Sequence, residues 1–537
     1  MVEFSYNYIE FQKDDNNVVK FNPCIDSHFL ALKSYIEKFG FDISYIVHAV
    51  FMQNEVRAYQ FDNDKYFGVY SIFAIYKYIL PSVKNNVLLS VVGSGFSVIH
   101  DNESLNQASI GMLAAIRTIA HEYLNVKTCL LDISVKEDIL NTNLVPLLID
   151  DDLHSDEKNL AIRGGYLWEE FYEPKNFNAS SKKGVKDLIG AGDVILITGG
   201  LGKIASQLVY EISKNKPVKF ILIGRSKPSI KNLSDFDQLK SNGSEVHYIQ
   251  CDVSSKLETD NLFEHVYKNH GKIDGVIHTA GLLPRERTQS SFKTLDNFLS
   301  AKVGGALNLL NNLSEFKDVK FFVMTSSLAS IMGDIGRFEY SVANNCLDMI
   351  SQIQNKNITN ILSINLPGWL DKETSHDALN RKNNLMNVVK NNILTDQEGR
   401  KLLYNLTNSG TSGQIIISKY GLDELKTFIF RKHQFDDVNF SFQQESDSDL
   451  HEDVINSAFK EILGDKEIDK DKSFFEMGAD SLSVVRLINI INKQLRINLT
   501  VQDVFKEDSI NKLSKYSEIL LNHNSNEALV GIEDGAI

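Results

Sequence analysis

Residues 193–205 read DVILITGGLGKIA, an apolar run from Val194 to Ile197 that stops in a glycine-bearing turn and gives way to helix-forming residues. A strand that empties into a helix through glycines is a nucleotide-binding signal. Gly199 takes backbone angles that a side chain forbids, Gly200 and Gly202 let the main chain approach a pyrophosphate, and the following helix presents unpaired N–H groups and a positive dipole end. Thr198, Gly199, Gly200, Gly202, Lys203 and Ile204 are therefore the candidate cofactor contacts of this turn. Gly-rich turns also occur where helix and sheet merely pack closely, so the reading needs support from the rest of the chain.

Downstream, strand-like runs repeat as KFILIGR (219–225), EVHYIQCDV (245–253), GVIHTAG (275–281), KFFVMTSS (320–327) and ILSINLPGW (361–369), separated by helical stretches. Near-continuous apolar strands alternating with helices predict a doubly wound parallel sheet covered on both faces. Upstream, VLLSVVGSG (87–95), SLNQASIGMLAAIRTIAHEYL (104–124) and TCLLDIS (128–134) give a second α/β half over residues 1–180. Its turn, Gly93-Ser94-Gly95-Phe96, lacks the third small residue and runs into HDNES, which predicts a Rossmann-like half that binds no cofactor. His121 and Glu122 have no second histidine four residues on, so they read as a surface or satisfied pair and not as metal ligands.

The polar stretch 175–188 reads as an exposed connection into a second half, 188–430. Residues 431–447 are polar and acidic, a flexible linker, and a small helical unit follows at 448–522. Its helices are expected in DLHEDVINSAFKEILG (449–464), SLSVVRLINIINKQL (481–495) and SINKLSKYSEILL (509–521), with LTVQDVF (499–505) as a short turn. Residues 523–537 are expected to be disordered.

Bulk properties narrow the function classes. A chain of 537 residues needs several cores, roughly three or four structural units. A net charge of −14 argues against sequence-independent nucleic-acid binding, which depends on a basic face. The start, MVEFSYNYIEFQKDDNN, does not read as a secretory signal, and the most apolar window, Tyr66 to Leu80, is too short for a bilayer and contains Lys77. A cytoplasmic protein with no membrane span is the expectation. Cys24, Cys129, Cys251 and Cys346 lie far apart without a CxxC pair, so neither disulfides nor a zinc site is predicted.

The chemistry is carried by Lys302, Ser327, Tyr340 and Asn344, the residue types that hydride reduction of a carbonyl requires. A tyrosine hydroxyl donates the proton to the developing alkoxide once a nearby cation lowers its pKa from about 10. Tyr340 is the candidate acid, Ser327 the holder of the substrate oxygen and Lys302 the cation. Asn344, one helical turn past Tyr340, would order a proton-refilling water. Taken singly, each would pass for an ordinary helix, cap or surface residue. Thr279, Ala280 and Gly281 end the GVIHTAG strand in a small-residue turn that lets backbone pass beside a cofactor.

TGGLGKIA, HTAG, AKVGGALNL, TSSLASIMG and YSVAN resemble, in order, the ketoreductase domains of type I polyketide synthases and animal-type fatty acid synthases, within the short-chain dehydrogenase/reductase superfamily. In that family asparagine stands four positions after the catalytic tyrosine and the lysine comes earlier, the arrangement of Asn344 and Lys302. The resemblance extends to SIGMLAAIRTIAHEYLNVKTCLLDIS and LAIRGGYLWEEFYEP, which are similar to the family's structural subdomain. It implies a non-binding pseudo-Rossmann half that braces a catalytic one, with NADPH as reductant. The residues favour the same nucleotide, because the strand 219–225 ends in Gly224 and Arg225 where an NAD enzyme carries an acid. Arg225, next to Ser226, suits a 2′-phosphate, and Asp252 with Val253 would face the adenine. Two marks of stereochemical class are missing. No aspartate stands near Leu283, Pro284 and Arg285, and Met332 replaces a tryptophan. Leu366-Pro367-Gly368-Trp369 rearranges the family's motif near the nicotinamide pocket.

FFEMGADSLSVVRLI (474–488) places Ser481 at a helix start, and GADSL within an acidic four-helix unit closely resembles an acyl carrier protein. The resemblance implies 4′-phosphopantetheine on Ser481, attached by a phosphopantetheinyl transferase, and an acyl thioester substrate. Ketosynthase, acyltransferase and other synthase domains or subunits are the implied partners, since none of their motifs is present here. A catalytically silent scaffold presenting the carrier, and a free-standing dehydrogenase of small alcohols, are the alternatives. The intact tetrad weighs against the first and the linked carrier against the second.

Overall fold

The computed structural model of the chain describes residues 2–4, 12–13, 19–23, 25–39, 42–49, 65–83, 85–100, 103, 105–106, 109–133, 146–147, 150, 153, 158–175, 187–282, 290–353, 355–369, 392–429, 449–464, 468–477, 479, 481–495, 497 and 499–530. The connection at 176–186, the linker at 431–447, the segment Leu283, Pro284 and Arg285, and the last seven positions of the expected tail lie outside them.

The first half begins with a small sheet of β1 (Val2–Phe4), β2 (Gln12–Lys13) and β3 (Val19–Phe21) in the order β1-β3-β2. Its main sheet runs β4 (Tyr45–His48), β5 (Val87–Gly93), β6 (Val126–Ile133), β7 (Lys158–Arg163) and β8 (Tyr166–Glu169). The pairs are parallel except β7 with β8. The second half has β9 (Val194–Thr198), β10 (Lys219–Gly224), β11 (Glu245–Gln250), β12 (Gly275–His278), β13 (Phe321–Ser327), β14 (Ile361–Leu366) and β15 (Gly413–Ile416). Their order is β11-β10-β9-β12-β13-β14-β15, with parallel pairing throughout. The chain therefore winds outward from β9 to β11 and returns to β12 beside β9. That reversal is a topological switch point, where open α/β sheets bind ligands.

Burial on both faces explains the continuous apolar strands. Along β9, Ile195 and Ile197 pack with Leu208 and Ile212 of the following helix, while Val194 and Leu196 face the opposite core with Ile221 and Val276. Polar residues at these positions would be left without partners, which is why the strands show no alternation.

The halves meet along two helices. Met112–Glu122 from the first packs on Phe338–Ile350 from the second, with Ile116, Ile119, Val342 and Cys346 in one core. Asn345 Oδ1 accepts the amide of Ala114 at 3.3 Å across this seam. The helix that carries Tyr340 is thus braced from behind by the first half.

Several expectations need correction. The helix expected from 104 begins at Met112, because the amide of Asn106 bonds back to the Gly95 carbonyl at 2.9 Å instead of extending a helix. His121 and Glu122 are buried, so the surface alternative falls and the satisfied one holds for Glu122, which accepts from the Tyr76 hydroxyl and the Gly336 amide. LTVQDVF is not a turn. Residues Val501–Lys506 form a helix closed by a Thr500–Asp503 capping box, and too short to display an apolar period. The last helix spans Ile510–Val530, past the boundary expected at 522. Tyr66–Ser82 is a buried run of π-, α- and 3₁₀-helical turns, and among the described residues no helix is long and apolar enough to cross a membrane.

The C-terminal unit packs the helices Asp449–Leu463, Ser481–Leu495, Val501–Lys506 and Ile510–Val530 around Phe459, Phe474, Val484, Leu487, Ile491 and Leu513.

Candidate active site

The glycine turn lies at the switch point. Gly199 has φ +64°, and a Cβ there would come within 2.9 Å of the Ala280 amide nitrogen, so the turn after β9 and the turn after β12 press against each other. Gly200 has a role the sequence did not reveal. Its Cβ would meet Leu222 at 2.8 Å, so the residue is small to let the turn cross β10. Gly202 is the N-cap of the helix Lys203–Asn215 and supplies no side-chain cap, which leaves that N-terminus suited to an anion. Lys203 forms an ion pair with Asp396 at 3.5 Å, and Asp396 also accepts the Trp369 indole N–H at 2.8 Å. Neither partner of Asp396 was legible as such from the sequence.

Beneath the turn is a buried polar relay. Thr198 Oγ1 bonds His278 Nδ1 at 2.7 Å and accepts the Ala280 amide at 3.2 Å. Thr279 Oγ1 donates to the Thr198 carbonyl at 2.7 Å, and His278 Nε2 meets the Lys302 carbonyl at 2.9 Å. Burial holds His278 at a pKa of about 4, so its ring is neutral and acts as a fixed strut between β9, β12 and the Lys302 segment. Gly281 stands against the Lys302 stem, where a Cβ would meet Cε at 2.9 Å.

At the nucleotide edge, Arg225 and Ser226 are exposed just past β10, with the Arg225 carbonyl accepting from Gln250 Nε2 at 2.8 Å. Asp252 spends one carboxylate oxygen on the Ser254 amide and hydroxyl, at 3.0 and 2.7 Å, which fixes the turn beside the site. Val253 is buried and its carbonyl accepts from Asn308 at 3.0 Å.

The tetrad divides between two elements and a bulge. Ser327 ends β13, and Tyr340 and Asn344 lie on Phe338–Ile350, where the Ser327 and Asn344 side chains both act on the Tyr340 phenol in the direction that lowers its pKa. The phenol stands above its ordinary pKa because burial disfavours the anion, although Ser327 pulls it down. This reverses the lowering expected from a cation. Lys302 is buried in the π-helical segment Ser300–Gly304, and its ammonium donates to the Thr325 carbonyl at 3.1 Å. Burial drops its pKa to about 8. Asn344 Nδ2 donates to the Tyr340 carbonyl at 2.8 Å, while its buried Oδ1 has no hydrogen-bond partner. A buried acceptor left open is costly unless a water or ligand group meets it.

Behind the tetrad lies a hub that sequence reasoning missed. Asp348 accepts from Ser363 Oγ at 2.6 Å, from Asn365 Nδ2 at 2.8 Å and from Ser330 Oγ. Asn365 also donates to Ser326 Oγ at 3.1 Å, and Ser326 Oγ donates to the Asn344 carbonyl at 3.1 Å. These bonds tie β13 and β14 to the Tyr340 helix. The available signal was spacing, since 340, 344 and 348 recur every four residues on one helix face. Among the described residues no group of three or more His, Cys, Asp or Glu is placed to hold a metal.

Comparison with known proteins agrees with this geometry. Residues 193–371 match the family model of the KR domain, and residues 453–517 match that of the phosphopantetheine attachment site. The chain thus carries a region similar to KR domains and, after it, a region similar to phosphopantetheine attachment sites. Its similar relatives are polyketide synthases. PksN of Bacillus subtilis (strain 168) is 25% identical over 460 residues, covering 81% of this chain and 8% of that protein. Probable polyketide synthase 14 of Dictyostelium discoideum is 26% identical over 419 residues, 72% of this chain and 13% of the relative. The chain thus spans a small fraction of their length. A ketoreductase domain from the bacillaene assembly line superimposes with TM-score 0.58 at 18% identity, over 72% of this chain and 95% of that one. An N-terminal ketoreductase from the macrolactin assembly line gives 0.59 at 21% identity, over 77% and 80%. Ser481 opens the carrier helix Ser481–Leu495, inside the matched region.

Proposed function

We propose that the chain reduces a β-ketoacyl thioester, held on phosphopantetheine at Ser481, to the β-hydroxyacyl thioester in polyketide synthesis, with NADPH as reductant. The observation that carries this reading is that the Ser327 side chain acts on the Tyr340 phenol at the mouth of β13, on the same edge of the sheet as the Gly199–Gly202 turn. When bound, the dihydronicotinamide supplies the hydride. The residues of the chain do the rest. Thr198 to Ile204 would hold the pyrophosphate at an uncapped helix end, Arg225 and Ser226 the 2′-phosphate, Asp252 and Val253 the adenine side, and Thr279 to Gly281 the nicotinamide side. Ser327 positions the ketone oxygen, and Tyr340 gives that oxygen its proton. The raised pKa keeps the phenol protonated until it is used. Lys302 lends positive charge as the phenolate forms, and Asn344 Oδ1 offers the open acceptor for a water that returns the proton.

The acyl group would come from ketosynthase and acyltransferase domains or subunits, and the arm from a phosphopantetheinyl transferase. Intact-protein mass before and after treatment with such a transferase, followed by NADPH oxidation with a β-ketothioester, tests both parts. A Ser481→Ala chain should gain no phosphopantetheine mass yet reduce a free β-ketothioester normally. Mass gain in that variant would move the attachment site, and a wild type that oxidised no NADPH would refute the reductase reading.

A further inference from the structure

The carrier does not stand apart from the reductase. Ile335, in the loop Gly333–Arg337 that leads into the Tyr340 helix, is buried in the core of the carrier with Phe474, Val501 and Val504. At the next residue, Gly336, a Cβ would lie 2.3 Å from the Phe505 ring. Gly336 has φ +76°, so two constraints, a left-handed backbone and the approach of a carrier side chain, fall on one residue. Phe505 in turn stacks on Phe475, ring centres 5.2 Å apart, which anchors the contact in the carrier fold.

A polar contact lies beside the apolar one. Gln502 Nε2 donates to the Tyr76 hydroxyl at 3.0 Å, and that hydroxyl donates to Glu122 at 2.7 Å. The other oxygen of Glu122 accepts the Gly336 amide at 2.8 Å. One carboxylate therefore joins the first half, the loop before the catalytic helix and, through Tyr76, the carrier. Tyr76 also stacks on Phe338, the first residue of that helix, at 4.7 Å between centroids.

We propose that the helix Val501–Lys506 is the docking element with which this carrier engages its own reductase, and that Ile335, Gly336 and Tyr76 are the receiving surface. The proposal rests on the reading of the carrier as the bearer of the ketoacyl substrate. Phe505 packs on the loop one turn ahead of Tyr340, and Gln502 reaches the same loop through Tyr76 and Glu122, so docking delivers the acyl arm and steadies the entry to the catalytic helix together. The rest of the carrier surface is left for other enzymes of the assembly line.

The test is Gln502→Glu in the full chain, assayed at pH 8. Burial raises Glu122 to about 7, so it is ionised there, and the new carboxylate would face a hydroxyl oxygen already committed to it. Single-turnover reduction of a β-ketoacyl group loaded on Ser481 should fall roughly tenfold, the scale of one charged contact, while the free thioester surrogate is reduced as in wild type. Gln502→Ala, which only deletes the bond, should fall about threefold. Amide exchange across 333–337 should quicken in both variants. Unchanged tethered reduction with unchanged exchange would overturn the docking assignment. A wild type that gains no phosphopantetheine, or reduces neither substrate, would instead refute the functional reading beneath it.

Discussion

Both α/β halves end a strand in a glycine-bearing turn, β5 at Gly93 and β9 at Thr198, and the turns differ in which groups answer their amides. In the first half the answer comes from the chain itself. Asp132, at the neighbouring position on β6, accepts the Gly95 amide at 3.0 Å and the Ser97 amide at 2.8 Å. Arg163 then pairs with Asp132 at 3.2 Å and Glu103 at 2.7 Å. A buried carboxylate with its own counter-ion stands where a phosphate would be gripped. In the second half the Gly200 and Gly202 amides go to the backbone carbonyls of Ile223 and Gly199, at 2.8 and 2.7 Å, and no side chain caps the helix that follows Gly202. One turn is closed on a buried carboxylate and its counter-ion, and the other is held by backbone carbonyls alone ahead of an uncapped helix end, a difference that fits the proposed division of bracing from binding.

The largest effect should come from removing chemistry at the receiving half. Tyr340→Phe is expected to lower reduction by about 10²- to 10⁴-fold, the usual scale for loss of one general acid, with NADPH affinity retained. Near-normal turnover, measured with a free β-ketothioester, would break the assignment of the proton donor.

Next in size is the filled turn. Asp132→Ala leaves the Arg163 guanidinium buried with Glu103 as its remaining carboxylate partner beside two backbone carbonyls, and deprives two amides of their acceptor. Stability to urea should drop by about 3 kcal/mol, the low end for a broken buried pair, because Glu103 persists. The folded protein should bind NADPH as before. A loss of nucleotide affinity equal to the loss of stability would dissolve the distinction between the turns.

How much of this was readable from the sequence differs by kind of feature. β9, β10, β12, β13 and β14 announced themselves because burial on both faces demands unbroken apolar runs. β15 did not, since its residues Gly413–Ile416 form a short, half-buried edge. Lys302, Ser327, Tyr340 and Asn344 could be picked out through motif order, yet what each of them touches could not. Lys302 comes from a π-helical segment, and its contact with Thr325 depends on β13 lying next to β12. The defective turn at Gly93 could be seen as lacking a small residue. That Asp132 fills it could not, because a buried aspartate inside TCLLDIS reads like any polar break in a strand. The same holds for Asp348 and for Glu122, whose partners come from distant segments of the chain.

A smaller effect should sharpen the anion side of the comparison. Arg225→Ala should weaken NADPH by about 1.5–3 kcal/mol, the worth of hydrogen bonds to a charged group, and change NADH little, since NADH has no 2′-phosphate. Equal loss for both nucleotides in titrations would show that Arg225 serves some contact other than that phosphate.

The last expected effect, at most about 1.4 kcal/mol for each pH unit, concerns a cation near each of the two turns. Arg163, although burial works against its charge, is held above its ordinary pKa by Glu103 and Asp132. Lys302 donates to a neutral carbonyl, and burial lowers it from 10.5 to about 8, with Asp348 opposing the shift. The native state therefore gives up the Lys302 proton near pH 8, while the unfolded chain keeps it to about 10.5. Between those values the unfolded state binds more protons, so stability must rise with pH, by at most about 1.4 kcal/mol per unit for one proton. The gain is complete above 10.5 and is lost as pH falls through 8. Lys302→Met, which keeps the stem but cannot titrate, should remove this slope from the difference between wild-type and variant urea midpoints. Arg163→Met should leave it in place, because a guanidinium does not release its proton in this range. A slope that survived in Lys302→Met would mean that the lysine beside the receiving turn is locked in its charged form like the arginine beside the filled one, and that the two turns do not differ in the freedom of their cations.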